Sequence, residues 1–140
     1  MATLLGAINA SASALDAQRA RMEVAVSNMA NAESTRGPDG EPYRRREVVL
    51  QSTSTGGAFD NSVQANGVEV AAVVQDQSAF RRVYEPSHPD ADADGFVSMP
   101  NVDVPEEMVD MLGAARAYQA NLTAIGLIRD TLQKALDLAK

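Results

Sequence analysis

The residues best suited to do chemistry lie between Ser87 and Gly95. Asp90-Ala91-Asp92-Ala93-Asp94-Gly95 alternates aspartates and closes on glycine. That is how an EF-hand calcium loop opens, with alternate carboxylates for the ion and a glycine for the sharp turn. Val97 falls where such loops carry an apolar residue. The pattern then breaks down. Asn101 stands where a bidentate glutamate is required, and Pro86, Pro89 and Pro100 leave no room for flanking helices. Calcium needs six or more oxygens, more than this segment supplies. The segment is therefore expected to be a polar turn between strands, with no metal.

His88 is the only histidine and there is no cysteine. A zinc site would have to be completed by carboxylates alone, an unusual donor set. Ser87, His88 and Asp90 spell a triad in sequence, but triads are built in space, and neighbours in a turn cannot aim at one another. Gly56-Gly57 has no following Lys-Ser or Lys-Thr, so no phosphate loop is present. No catalytic residue and no cofactor is expected, and the chain does not read as an enzyme.

Composition points the same way. The formal net charge is -7 over 140 residues. There is no Lys/Arg face to neutralise phosphates, so nucleic acid is not an expected partner. Arg44-Arg45-Arg46 is expected to be a solvated strand edge that discourages stray pairing. No Lys or Arg precedes Arg19, and Gly6 and Asn9 interrupt the first ten residues, unlike a cleavable signal peptide. The longest strongly apolar block, Val70 to Val74, is too short to span a bilayer. Three Phe, three Tyr and no Trp allow only a thin core. Alanine is concentrated at the two ends, where small residues let helix backbones approach closely.

Any such positions must be carried by three zones. Residues 3 to about 32 read as a helix. Residues 36 to 100 hold most of the Pro and Gly and read as strands and loops. Residues 104 to 138 read as a long helix. Val104, Met108, Met111, Ala115, Tyr118, Leu122, Ile125, Leu132 and Leu136 follow a repeating 4,3 spacing, broken only by Arg129. A period near 3.5 keeps one apolar seam facing a partner helix. Asp103 and Glu106 have capping-box spacing, Pro105 is tolerated in the first turn, and Glu106 with Glu107 suits the positive helix end. Lys134 and Lys140 lie towards the negative end. A helix of about 35 residues is roughly 50 Å long.

The N-terminal segment shows the same spacing. Leu5, Ile8, Ala12, Leu15, Met22, Val26 and Met29 form one stripe, with Arg19 as its exception. The expected fold is mainly α with a small β insert. Long N- and C-terminal helices (1–35 and 100–140) pack as an antiparallel, coiled-coil-like pair, and residues 36–99 form the insert. Within the insert, Tyr43–Leu50, Gly67–Val74, Phe80–Tyr84 and Phe96–Met99 read as strands. Gln51–Asn66 reads as a mobile Ser/Thr/Gly/Asn-rich linker.

Positions beside the C-terminal seam include Leu112, Ala114, Gly126, Ile128 and Ala135, where an ordinary two-stranded coil carries Glu and Lys. The apolar face is wider than one partner helix can bury. Gly113 and Gly126 each cost roughly 1 kcal/mol inside a helix relative to Ala, which close approach of a neighbouring backbone would explain. Two readings fit the pattern equally: a defined four-helix dimer, such as a small adaptor that grips a partner helix, and a subunit of a larger assembly.

Specific motifs separate them. Ser13-Ala-Leu-Asp-Ala-Gln-Arg19-Ala-Arg-Met22-Glu-Val-Ala-Val-Ser-Asn28-Met-Ala-Asn31, followed by Ser34-Thr35, closely resembles the N-terminal signature of flagellar rod and hook proteins. In those proteins a helix ends in an Asn-rich stretch, matched here at Asn28 and Asn31, with Ser27 where Asn is common. Pro42-Tyr43-Arg44-Arg45, Tyr84 to Asp92, Gly95 to Val102, Glu107 to Met111 and Ala115-Arg116-Ala117-Tyr118-Gln119-Ala120-Asn121 resemble the proximal-rod, C-type branch of that family. The resemblance covers nearly the whole chain.

It implies a structural subunit of the flagellar basal-body rod. Such a subunit leaves the cell through the flagellar export apparatus without a cleaved signal peptide. It polymerises in the periplasm through its terminal helices into a hollow shaft that carries torque from motor to hook. The implied partners are other rod proteins and the basal-body base. The expected subunit interface is Leu5, Ile8, Leu15, Met22, Val26, Met29, Met108, Met111, Leu112, Tyr118, Leu122, Ile125, Leu132 and Leu136.

Overall fold

The computed structural model describes residues 2–54 and 66–138. Two long helices flank a small β region. Helix α1 runs Ala2–Ala30, and α2 runs Val104–Leu138. Between them lie β1 (Arg46–Ser54), β2 (Asn66–Gln75), β3 (Arg81–Tyr84) and β4 (Phe96–Met99). The strands form two separate two-stranded sheets, β1 with β2 and β3 with β4.

The helix ends follow from local chemistry. Asp103 Oδ1 accepts the Glu106 N–H at 3.4 Å and the Asp103 carbonyl accepts the Glu107 N–H at 3.0 Å. These bonds serve donors that the first helical turn leaves open. Glu106 and Glu107 supply acid there. At the other end the last turn of α2 carries no basic residue, so Lys134 stops just short of it. Helix α1 ends where the Asn31 side chain folds back: its Nδ2 donates to the Ser27 carbonyl at 2.8 Å and its Oδ1 accepts Ser34 Oγ at 3.2 Å.

The expected strands exist, but the first is shifted. It starts at Arg46 rather than Tyr43, because Arg45 N–H is held by the Asn101 side chain (2.8 Å) before pairing begins. It also continues through Ser54, so residues 51–54 of the expected linker are strand. Residues 55–65 lie outside the described residues. In β3–β4 the antiparallel register sets Arg81 opposite Met99, Val83 opposite Val97 and Tyr84 opposite Phe96. The Tyr84 and Phe96 rings meet edge to face, centroids 5.3 Å apart.

The chain divides into two compact units. Among the described residues the first holds 2–20, 49–54, 66–72 and 113–138. Ala17 and Ala114 are its fully buried apolar residues among those described. Within it Ser13 Oγ accepts the Val68 N–H at 3.0 Å. A Cβ on Gly67 would stand 3.0 Å from Thr53 Oγ1 and 3.1 Å from Ser13 Oγ, so strand and helix meet where there is no space for a side chain. The second unit holds residues 21–48 and 73–112. It buries Ala25, Ala32, Val97, Pro100 and Val102, together with the polar Asn28 and the charged Glu107.

Candidate functional site

The helices place the expected interface residues unevenly. On α1, Ile8, Leu15, Met22 and Met29 are half-buried, whereas Leu5 and Val26 are exposed. On α2, Met111, Tyr118, Ile125 and Leu132 are half-buried, whereas Met108, Leu112, Leu122 and Leu136 are exposed. Asn28 is buried and Asn31 half-buried.

The most shielded stripe lies one residue to the side of the one read from large side chains. On α2 it follows Glu107, Met111, Ala114, Tyr118, Asn121, Ile125, Ile128 and Leu132, all buried or half-buried. This stripe keeps the 4,3 spacing and replaces the anomalous Arg129 with Ile128. On α1 it includes Ala14, Gln18, Arg21, Ala25 and Asn28. The fully buried apolar helical residues are small: among those described, Ala17, Ala25 and Ala114 are each no more than 3% exposed. Leucines and a valine stand beside them in solvent, with Leu5 59% and Leu122 48% exposed. Periodicity counted on large residues therefore finds the flank of the stripe.

The second unit contains a polar cluster. Asn28 uses all four of its hydrogen-bonding positions. Its Nδ2 donates to the Arg46 carbonyl and to Glu107 Oε2, both at 2.9 Å. Its Oδ1 accepts the Arg46 N–H at 2.9 Å and the Tyr43 hydroxyl at 3.0 Å. The amide thus reads the Arg46 backbone as a paired strand would.

Glu107, 2% exposed, also accepts Arg45 Nε at 2.5 Å. Arg45 further pairs with Glu47 and reaches Asp110 at 3.6 Å. Burial works against the Arg45 charge, but the bonds to Glu107 and Glu47 outweigh it and hold its pKa above the ordinary value. The basic run is thus no plain solvated edge, because its middle arginine neutralises a buried carboxylate. Arg44 lies over the Phe80 ring at 4.2 Å and Arg46 over Tyr43 at 5.6 Å.

Glu107 and Arg45 were missed as site residues because a periodicity counted on large apolar side chains passes over them. Glu107 reads as a helix-start acid and Arg45 as one of three surface bases. Glu107 could have been found by starting the 4,3 register one residue earlier.

The Asp90–Gly95 segment is a turn, and its first two aspartates bind protein groups. Asp90 accepts Thr35 Oγ1 at 2.9 Å and faces Arg36 Nη1 at 3.5 Å. Asp92 Oδ1 accepts the N–H groups of Asp94 (3.0 Å) and Phe96 (2.8 Å), and its Oδ2 pairs with Arg82 at 2.6 Å. The Phe96 N–H in particular pulls the Asp92 pKa below the usual carboxylate value, with Asp94 and Arg82 adding to it. Gly95 sits at φ 80°, a conformation that suits glycine. His88 Nδ1 accepts the Asp90 N–H at 3.1 Å, a turn contact rather than a catalytic one. Among the described residues no group of three or more His, Cys, Asp or Glu is placed to hold a metal, and no helix is long and apolar enough to cross a membrane.

Two family patterns match the chain at its ends. "Flagella basal body rod protein" covers residues 8–38, and "Flagellar basal body rod FlgEFG protein C-terminal" covers residues 93–138. Similar proteins match over almost the whole length. The flagellar basal-body rod protein FlgC of Escherichia coli O6:H1 is 45% identical over 137 residues, covering 98% of each chain. FlgC of Bacillus subtilis is 44% identical over a 151-residue alignment, covering 99% of each. FlgC of Aquifex aeolicus is 35% identical over 141 residues and covers both chains fully. With this identity over nearly its full length, the chain belongs to the FlgC family of flagellar basal-body rod proteins.

Proposed function

We propose that this structural rod subunit polymerises through the exposed apolar faces of its two terminal helices. The observation that carries the reading is the set of large aliphatic side chains left in solvent on both helices: Leu5, Val26, Met108, Leu112, Leu122 and Leu136. Large aliphatic side chains exposed repeatedly along a helix suit a protein-binding surface. Head-to-tail contact between unlike surfaces gives an open helical array.

In this reading residues 1–35 and 100–140 form the polymerising part, with the helices running antiparallel, and residues 36–99 brace adjacent subunits or face outward. The half-buried Ile8, Leu15, Met22, Met29, Met111, Tyr118, Ile125 and Leu132 belong to the same seam. Stiffness for torque arises from many small apolar contacts summed along the shaft. Methionines on the stripe adapt to unequal neighbours among the other rod proteins and the basal-body base. The subunit acts in the periplasm, after passage through the flagellar export apparatus.

The test is a strain deleted for this chain. Basal bodies imaged from it should lack a complete rod, and the wild-type chain should restore motility while Leu122→Asp should not. Full motility with Leu122→Asp would remove that face from the interface. A purified chain that halts at a stable dimer with both helix faces covered would favour the adaptor reading instead.

A further inference from the structure

We infer that the outward stripe of α2 from Arg116 to Leu138 docks on the acidic second unit of another copy of this chain, against the solvent face of β3–β4. The inference rests on the polymerisation reading and adds to it a contact face distinct from that of Leu122.

Arg116, Thr123, Leu127, Thr131, Lys134 and Leu138 lie on one side of α2, at spacings of 7, 4, 4, 3 and 4, and all are exposed. The solvent side of a helix is ordinarily polar. Here Leu127 is 63% and Leu138 89% exposed. Thr123 Oγ1 donates to the Gln119 carbonyl at 3.0 Å, and Thr131 Oγ1 to the Leu127 carbonyl at 2.7 Å. Both hydroxyls are thereby satisfied inside the helix. The stripe offers aliphatic groups and two cations, and Asp130 and Asp137 stand off it. Leu127 lies about 140° around the helix from Leu122, so a neighbour on one cannot cover the other.

Charge selects the partner. The second unit carries fourteen Asp and Glu against seven Arg and no Lys, so the chain's whole surplus of seven acids lies there. In the first unit the described residues balance, four acids to four bases. Second units of two copies repel one another, whereas a stripe whose only charges are Arg116 and Lys134 is drawn to them.

The receiving surface is the β3–β4 hairpin. One side faces inward, with Val97 buried and Val83 half-buried. The other presents Arg82, Tyr84, Phe96 and Ser98 to solvent. The chain has only six aromatic residues, yet Tyr84 is 63% exposed and Phe96 stands beside it in solvent. Burial alone would put these rings inside and the valines out. Tyrosine and arginine are the residue types that dominate binding energy at interfaces. Phe96 and Ser98 open on a hollow of about 500 Å³ that Phe80, Pro42 and Pro89 help to line, with room for the Leu127 side chain. Arg82 lies over the Phe96 ring at 4.8 Å, so a cation already rests on this surface. Glu85 and Asp94 are exposed at the turn end of the hairpin, and among the described residues neither belongs to an ion pair. They suit the charge of Lys134. Contact between unlike surfaces, α2 of one copy on β3–β4 of the next, extends without closing.

The chain contains no cysteine, so an introduced one reports a single place. Ser98→Cys in one tagged copy and Thr131→Cys in another, made in cells that also make the wild-type chain, can be joined by a short bis-maleimide in isolated basal bodies. Each copy has one cysteine, so a link forms only between copies. A covalent dimer should appear only when both tagged copies are present. Leu127→Asp or Lys134→Glu, added to the Thr131→Cys copy, should abolish it. Ala91→Cys on the hollow with Ala120→Cys on α2 gives a second pair across the same contact. No dimer from either pair, in basal bodies that contain the tagged copies, would overturn the proposal. So would a dimer that survives both added changes, a dimer formed by Ser98→Cys copies alone, or a link from Thr131→Cys to a different rod protein. A deletion strain that keeps its rod overturns the polymerisation reading, whereas a lost rod with no cross-link overturns this contact alone.

Discussion

Asn28 and Glu107, 79 residues apart in the chain, meet through a buried 2.9 Å hydrogen bond that joins the end of α1 to the start of α2. Glu107 has Arg45 as its counter-charge, and Asn28 supplies the remaining donor.

Removing the carboxylate should be among the most damaging single changes in the chain. Glu107→Ala leaves one Asn28 donor unpaired and takes from Arg45 its buried counter-charge, with Glu47 and Asp110 remaining. Breaking a buried pair from one side costs about 3–5 kcal/mol. Urea unfolding of the full chain measures it, and a loss under about 1 kcal/mol would show the pair to be solvated.

Leu122→Asp and Ile125→Asp should part company. Leu122 is exposed and Ile125 half-buried. The first should leave the free subunit within about 0.5 kcal/mol of wild type, as surface changes do, yet stop rod assembly. The second should lower both stability and assembly, because a charge enters a partly shielded stripe. Equal thermal shifts in the two variants would contradict the observed exposure.

Two glycines should respond with opposite sign. Gly126 lies in α2 with nothing within 4 Å of an added Cβ. Gly126→Ala should stabilise the free subunit by about 1 kcal/mol. If neighbouring backbones close on this position in the rod, the same change should reduce motility. Gly95 has φ 80°, and a Cβ there would stand 3.0 Å from the Tyr84 ring. Gly95→Ala should destabilise by about 1–2 kcal/mol. Thermal melts of the two variants give both signs at once.

Acid should loosen the β3–β4 turn. Asp92 is depressed chiefly by the Phe96 N–H, and Asp76 chiefly by the Ser78 N–H. A carboxylate with a lowered folded pKa contributes stability that is complete above its unfolded value, near 3.9. That contribution fades as pH falls through the folded value. Stability from these two groups should stay flat from pH 8 to 5 and decline below about pH 4. Asp92→Asn keeps the acceptor and loses the charge, so it should flatten part of that decline. An identical acid profile in Asp92→Asn would exclude the turn as its source.

Much of the fold was legible because long helices announce themselves. The capping residue at Asp103, the 4,3 spacing and the turn at Gly95 all act locally, so sequence reasoning reaches them. The side on which α1 and α2 are most shielded did not follow. Side-chain size marked Val26 and Leu122, but the buried neighbours are Ala25 and Ala114. The polar cluster was hidden for another reason. Arg45, Asn28 and Glu107 lie far apart in the chain, and no periodic pattern pairs an arginine in a strand lead-in with an acid in a helix start. Only the family resemblance drew attention to Asn28, and it said nothing of what the side chain grips.

The alanines at the innermost positions also decide when disorder is lost. An alanine side chain has no rotamers to surrender on burial, whereas each leucine, isoleucine or methionine gives up about 0.5–2 kcal/mol of such freedom. Burying these alanines therefore costs the subunit little side-chain entropy. In the proposed assembly the exposed leucines would keep their mobility until a neighbour arrives, which would defer much of the ordering to the moment of joining.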